Sequence, residues 1–254
     1  MDLFELGGKT ALVTGASRGL GRQFALTLAR AGADLVLAAR DREKLEGVAE
    51  EIRLMGRRAY PVVMDVTERS TVVDGVKAAE EAAGPLRILV NNSGIAITRR
   101  LLEVEEEDWR KVIDTNLTGA WFVAQEVARA MAEHGEGGSI VNIASLLGVR
   151  TLPGVVGYNA AKAGLIHLTR VMAMDLARYS IRVNAIAPGY FATEMNRAFF
   201  ESEPGKAMIG RIPQRRLGQE GDLDGPLLLL ASDAGRYVTG QTLLVDGGHS
   251  VASI

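Results

Sequence analysis

Seven short apolar runs, near residues 9–14, 34–39, 59–64, 86–91, 138–145, 181–187 and 241–246, alternate along most of the chain with stretches of helical periodicity. Within the runs Val, Ile, Leu and Ala follow one another almost without interruption, the pattern of strands covered on both faces rather than on one. Strands and helices in this alternation predict an α/β fold: a doubly wound, parallel, seven-stranded sheet with helices on both faces. At 254 residues and 47 % hydrophobic, the chain can bury a large core, and α/β domains of this length remain undivided. A single domain over residues 1–254 is expected, with no repeat, linker or low-complexity tract.

Charge and residue counts exclude several classes of function. The net charge of −2 provides no broad basic field for nucleic acid. There is no cysteine, so neither disulfides nor thiol catalysis is available. The three histidines, His134, His167 and His249, are scattered without metal-ligand spacing, and no metal is expected. No apolar run approaches the ~20 residues that span a bilayer, and the first nine residues carry acids where a signal peptide carries bases. A cytoplasmic protein is expected. The acidic run Glu105–Asp108 reads as the start of the helix carrying Trp109, where carboxylates suit the helix dipole.

Two local patterns carry chemistry. Lys9–Thr14 reads as a strand that runs into Gly15-Ala-Ser-Arg-Gly19-Leu-Gly21 and then into a helix through Phe24, Leu28 and Ala31. A glycine turn between strand and helix lets backbone N–H groups approach a pyrophosphate at the positive helix end. The spacing Gly-x-x-x-Gly-x-Gly differs from the common Gly-x-Gly-x-x-Gly fingerprint. Further along, Tyr158 and Lys162 stand four apart in a helical stretch, thirteen residues beyond Ser145 at a strand end. An i, i+4 spacing puts phenol and ammonium on one helix face. At about 4 Å and an effective dielectric of about 20 their attraction is about 4 kcal/mol, equivalent to roughly 3 pKa units. The expectation is that Lys162 lowers the phenol pKa enough for proton transfer to a carbonyl oxygen.

Together these residues resemble the short-chain dehydrogenase/reductase family, a Rossmann-type fold, and the resemblance covers nearly the whole chain. Thr14-Gly15-x-x-x-Gly19-x-Gly21, Asp65-Val66, Asn91-Asn92-Ser93-Gly94, Asn116, Ser145, Tyr158, Lys162, Asn184 and Pro188-Gly189 stand in the family's order. Ser93 replaces the usual alanine. The resemblance implies a catalytic set of Asn116, Ser145, Tyr158 and Lys162. It also implies a cofactor site made by Gly15, Ser17, Arg18, Gly19, Leu20 and Gly21 in the loop, Asp65 and Val66 beside the adenine, and Asn91, Asn92, Ser93 and Gly94 along the riboses. Lys162 would hold the nicotinamide ribose, with Tyr158 beside it, while Pro188, Gly189 and Phe191 border the nicotinamide and Thr193 caps its amide or a phosphate.

At the end of the second strand, where NAD-preferring relatives carry an acid, stand Ala39 and Arg40. A cation there suits a 2′-phosphate, and Arg18 can reach the same group. NADP(H) is therefore the expected cofactor, with NAD(H) possible. Asp41 could turn to the ribose instead, but its place before Arg42-Glu43-Lys44 reads as a helix N-cap.

The implied chemistry is ketone–alcohol interconversion on a small-molecule substrate. Ser145 bonds the substrate oxygen, Tyr158 gives or takes its proton, and Lys162 supports both tyrosine and ribose; Asn116 kinks a helix and holds a water. The pocket is expected from residues 95–100, 146–157 and the mobile lid segment 190–216. Arg99, Arg100 and Arg150 near its mouth hint at an anionic substrate: a keto acid, a sugar acid or a phosphate-bearing acyl thioester carrier. The chain is similar both to 3-oxoacyl-carrier-protein reductases and to gluconate-type dehydrogenases. A catalytically inactive dinucleotide sensor and a structural subunit are the alternative classes, against which the intact Ser145, Tyr158 and Lys162 argue. Apolar stripes on helices near 108–133 (Trp109, Val112, Trp121, Phe122, Val123) and 158–179 (Leu165, Leu168, Met172, Leu176), with the segment 243–251, lead the resemblance to imply a homotetramer.

Overall fold

The structure is a computed structural model and describes residues 3–192 and 200–252. Its strands lie where the apolar runs predict them: β1 Thr10–Thr14, β2 Asp34–Ala39, β3 Ala59–Val63, β4 Leu86–Asn91, β5 Gly138–Ile143, β6 Ile181–Pro188 and β7 Thr242–Val245. They form one parallel sheet in the order β3-β2-β1-β4-β5-β6-β7. All five residues of β1 are buried, as its uninterrupted apolar composition requires.

Two apolar layers cover the sheet. On one face, α1 (Gly19–Arg30), α2 (Arg42–Leu54) and α8 (Asp224–Ala231) pack Phe24, Leu28, Leu45, Ile52, Leu227 and Leu230 against Val13, Leu35 and Leu37. On the other, α3 (Arg69–Ala83), α5 (Gly119–His134) and α6 (Val156–Leu176) meet Leu12, Val36 and Leu89 through Val76, Val123, Val127 and Met172. The remaining helices of the described residues are α4 (Glu106–Ile113), α7 (Glu203–Ile209) and short 3₁₀ turns. Asp41 caps α2, its carboxylate accepting from the Lys44 N–H at 3.2 Å, and the acids Glu106, Glu107 and Asp108 occupy the first turn of α4.

The expected helix over 108–133 runs unbroken from α4 into α5, with one widened turn inside it. Residues Asp114–Thr118 form a π-turn between α4 and α5, with Asn116 fully buried inside it. Gly119 follows at once, and a side chain there would lie 2.7 Å from the Val66 carbonyl oxygen. The widened turn and the close approach of Gly119 bring this helix against the end of the third βα unit.

The apolar stripes also differ from expectation. Val112, Val123, Leu165 and Met172 are buried in the chain's own core, and Phe122, Leu168 and Leu176 pack against it. Trp109, Trp121, Val171 and Met174 are the large apolar side chains that α4, α5 and α6 leave exposed.

Sheet winding reverses between β1 and β4, and outside the carboxyl ends of these strands lies the crevice where doubly wound sheets bind ligands. The glycine loop leaves β1 there, and Asn91–Gly94 leave β4 beside it.

Candidate active site

Gly15 and Gly19 take φ of +66° and +53°, the left-handed region that glycine enters without strain. A methyl group at Gly21 would overlap the Gly15 carbonyl oxygen, so the first turn of α1 lies directly against the loop. The N-cap Arg18 contributes no side-chain bond to that turn, and the first N–H groups of a helix have no acceptor within it. The cradle therefore fits a pyrophosphate: open backbone donors, a positive helix end and no side chain at Gly19 or Gly21. Arg18 is exposed, Ser17 is half-buried, and Leu20 packs on the first apolar layer.

Thr14 ties this loop to the end of β4. Its hydroxyl accepts from the N–H groups of Asn92 and Ser93 at 2.9 and 3.0 Å, and the Asn92 amide donates to the Thr14 carbonyl oxygen at 3.0 Å. The Asn91 side chain points inward: it donates to the Ala120 carbonyl at 2.6 Å and lies 3.3 Å from Asn142 Oδ1. Both asparagine side chains thus serve the fold, and Ser93 and Gly94 are the members of the segment that continue towards the reacting centre.

At that centre Gly94 has the Asn116 Oδ1 and the Lys162 Nζ as its neighbours, at 3.1 and 3.5 Å from where a side chain would begin. The Asn116 amide clamps Ile95 from both sides, accepting its N–H and donating to its carbonyl, each at 2.7 Å. Local backbone bonding within its own helix is therefore not what accommodates this asparagine; it fixes the neighbouring loop.

Ser145 follows β5 and caps the 3₁₀ turn Leu146–Gly148, its Oγ accepting from the Leu147 N–H at 3.1 Å. That bond occupies a lone pair and leaves the hydroxyl proton to donate. Gly148 brings the turn onto α6, since a side chain there would lie 2.8 Å from the Lys162 carbonyl oxygen and 2.7 Å from Ile166. Tyr158, in the first turn of α6, is in hydrogen-bonding relation with Ser145. Lys162, buried one turn on, donates to the Ile143 carbonyl at 2.7 Å and lies 5.6 Å from the Tyr158 ring centroid.

The electrostatics correct the sequence expectation for the phenol. Burial pushes the Tyr158 pKa above the usual tyrosine value, and the Ser145 hydrogen bond acts in the opposite direction. Lys162 is not what governs it: burial brings the lysine itself down to about 8, and its ammonium bonds a carbonyl rather than the phenol oxygen. A spacing argument supplies the shared helix face but neither the desolvation nor the competing acceptor.

A family model described as Enoyl-(Acyl carrier protein) reductase matches residues 15–250. Gluconate 5-dehydrogenase of Gluconobacter oxydans (strain 621H) is 43 % identical over 252 residues, 99 % of this chain and 98 % of that protein. The 3-oxoacyl-(acyl-carrier-protein) reductase FabG of Staphylococcus epidermidis is 39 % identical over 241 residues, covering 94 % and 98 %. The crystal structure of a gluconate 5-dehydrogenase from Burkholderia cenocepacia J2315 in complex with NADP and tartrate matches with a TM-score of 0.95 at 41 % identity, covering 99 % of each chain. The chain belongs to the short-chain dehydrogenase/reductase family. It is thereby an NAD(P)-dependent oxidoreductase, in a fold shared along its whole length with solved members of the family.

The other motif side chains of this short-chain dehydrogenase/reductase have partners within the fold. Val66 is buried against Gly119. Asp65 accepts the N–H and hydroxyl of Thr67 at 3.0 and 2.8 Å, and its other oxygen lies 3.7 Å from the exposed Arg40. Pro188 ends β6, Gly189 donates to the Val245 carbonyl, and Phe191 packs its buried ring on Gly218. Thr193 lies outside the described residues. Loop 95–100 and loop 151–156 do run together, Arg99 pairing with Val155, but Arg99 is held by Asp108 at 2.5 Å. Arg150 donates to the carbonyls of His249, Ser250 and Ala252. Of the three arginines, only Arg99 is in an ion pair among the described residues. Gly148 and Gly119 are contributors that motif reading missed; the recurrence of glycine three residues after Ser145 and after Asn116 is the signal that could have found them.

No helix among the described residues is long and apolar enough to cross a membrane.

Proposed function

We propose that the protein interconverts a ketone and a secondary alcohol on a sugar acid with NADP(H), Tyr158 serving as general acid and base. The observation that carries this reading is one cluster, Ser145 with Tyr158, Tyr158 with Lys162, and Lys162 with Asn116 beside Gly94, together with a glycine cradle shaped for a pyrophosphate. When bound, the nicotinamide supplies or accepts the hydride. Arg40 and Arg18 would hold the 2′-phosphate, and the loop N–H groups the pyrophosphate. In reduction, the neutral Tyr158 phenol gives its proton to the substrate oxygen, while Ser145 donates a hydrogen bond that strengthens as negative charge gathers there. In oxidation the same phenol must first lose its proton. Lys162, charged below about pH 8, lies one helical turn away and helps place the ribose.

A sugar acid as substrate rests on the likeness to gluconate 5-dehydrogenases and on the tartrate held by one of them, tartrate being a hydroxy acid. The same reading includes a cytoplasmic homotetramer, supported by Trp109, Trp121, Val171 and Met174, which α4, α5 and α6 leave exposed. Light scattering tests it: a fully active species near 27.2 kDa refutes the tetramer.

Activity is tested by following NADPH oxidation with 5-keto-D-gluconate and with a 3-oxoacyl thioester, and by repeating both with NADH. Turnover of the keto sugar acid with preference for NADPH is expected. Turnover of the thioester alone would move the substrate class to that of the second relative. Tight NADPH binding without turnover of any ketone would favour the sensor reading.

A further inference from the structure

The turn His249–Val251 touches three walls of the candidate active site. Arg150, five residues beyond Ser145, sends one guanidinium nitrogen to the carbonyls of His249, Ser250 and Ala252 at 2.8, 3.3 and 3.5 Å. Its own N–H is bonded back to the Leu146 carbonyl at 2.8 Å, so the side chain is anchored in the turn that Ser145 caps. The His249 ring lies 5.4 Å from Tyr190, whose ring in turn meets Phe200 edge-on at 5.9 Å. Asp246 closes the loop before the turn, accepting from the N–H groups of Gly248 and Ser250 at 2.9 and 2.6 Å. Gly247 accepts from the Gln214 N–H at 3.2 Å, joining the far end of the lid segment. Burial first, and then Arg150, hold the His249 pKa below the usual histidine value, so the ring is neutral near pH 7 and free to stack.

We propose that Arg150 is a positioning residue, which sets the pose of Ser145 and of the Tyr190 wall by clasping the turn 249–252 rather than by binding substrate. This rests on the role proposed for Ser145. The carbonyls at the end of a helical turn lack internal partners, and a guanidinium that meets three of them ties the turn to the catalytic loop through charge-assisted bonds. Removing it frees two segments that otherwise hold each other: the Ser145 turn loses its far anchor, and the aromatic wall loses the ring that backs it. Displacement of about 1 Å in such groups costs up to about a hundredfold in rate.

Five proteins decide the matter: wild type, Arg150→Met, Arg150→Lys, a chain stopped after Gly248, and that shortened chain carrying Arg150→Met. Each is assayed with NADPH and 5-keto-D-gluconate, titrated with NADPH by fluorescence, and followed by hydrogen–deuterium exchange without ligand. Arg150→Met and the shortened chain should each lower kcat/KM about tenfold or more, leaving the NADPH dissociation constant within about twofold because the glycine cradle lies elsewhere. The combined variant should be no worse than either change alone, since both remove one clasp. Arg150→Lys should recover part of the loss. Exchange should quicken in 145–150, 212–218 and 245–248, and also in 249–252 of the full-length variants, and stay unchanged in 15–22. Loss in Arg150→Met without loss in the shortened chain would make Arg150 a substrate ligand and overturn the proposal, as would additive losses or quickened exchange throughout the protein. A wild type silent towards the ketone would refute the proposed function, while the exchange comparison would still decide the clasp.

Discussion

Nζ of Lys162 donates to the carbonyl oxygen of Ile143 over 2.7 Å, two residues before Ser145. One strand end thus supplies both the hydroxyl that meets Tyr158 and the acceptor that holds the ammonium. Because the charge is anchored on backbone and buried, it lies 5.6 Å from the tyrosine ring centroid without bonding the phenol oxygen, and burial dominates both titrations. Near neutrality the tyrosine is therefore protonated, the form that the proposed reduction requires.

Replacing Tyr158 by Phe keeps the ring and removes the donor. Turnover in ketone reduction should fall by about 10²–10⁴, with unchanged thermal stability and NADPH affinity. Steady-state kinetics on the folded variant check this, and near-normal turnover would sink the role given to the phenol.

The direction of the Tyr158 shift sets the pH profile. Oxidation needs the phenolate, so kcat for alcohol oxidation should climb through the alkaline range, whereas reduction should be fastest near neutrality and decline as the phenol ionises. An oxidation rate flat from pH 7 to about 10 would contradict the assignment.

Lys162 also makes a stability prediction. Its folded pKa, about 8, lies below the ordinary 10.5. The unfolded chain therefore binds more protons between those values, and stability rises with pH there. Relative to Lys162→Met, wild type should gain about 2 kcal/mol between pH 7 and 9.5, read from denaturant melts of both proteins. A gap that is constant or shrinks with pH would show that burial does not depress the lysine.

Arg40→Asp should weaken NADP(H) and raise the relative use of NAD(H), since a carboxylate repels the 2′-phosphate and accepts from a ribose hydroxyl. The new acid would also face Asp65, the present partner of Arg40 at 3.7 Å. The ratio of kcat/KM for the two cofactors reads the outcome, and an unchanged ratio would remove Arg40 as selector.

Gly148→Ala should be costly out of proportion to its size. The added methyl would meet the Lys162 carbonyl oxygen, which is backbone and cannot swing aside. Overpacking of this kind costs roughly 1–3 kcal/mol, and here it moves the Ser145 turn away from α6. Both the melting temperature and kcat should drop; a fully active, equally stable variant would show that the turn has slack.

Much of this protein was legible from residues alone, because the relevant physics is local. Uninterrupted Val/Ile/Leu/Ala runs mark strands covered on two faces, and all seven strands fall on them. Glycine at 15, 19 and 21 marks a turn only glycine can make, and an i, i+4 pair on a helix shares a face wherever that helix lies. Asp41 was readable as a cap for the same reason. What only the tertiary structure decided depends on groups far apart in the chain. Spacing could not tell that Asp108 neutralises Arg99, or that Arg150 reaches carbonyls about a hundred residues onward. Nor could it tell that Asn91 turns inward to Ala120. The pKa of Tyr158 moved opposite to the pairwise expectation, because desolvation sums over every atom packed around the phenol, and that sum exists only once the chain has folded.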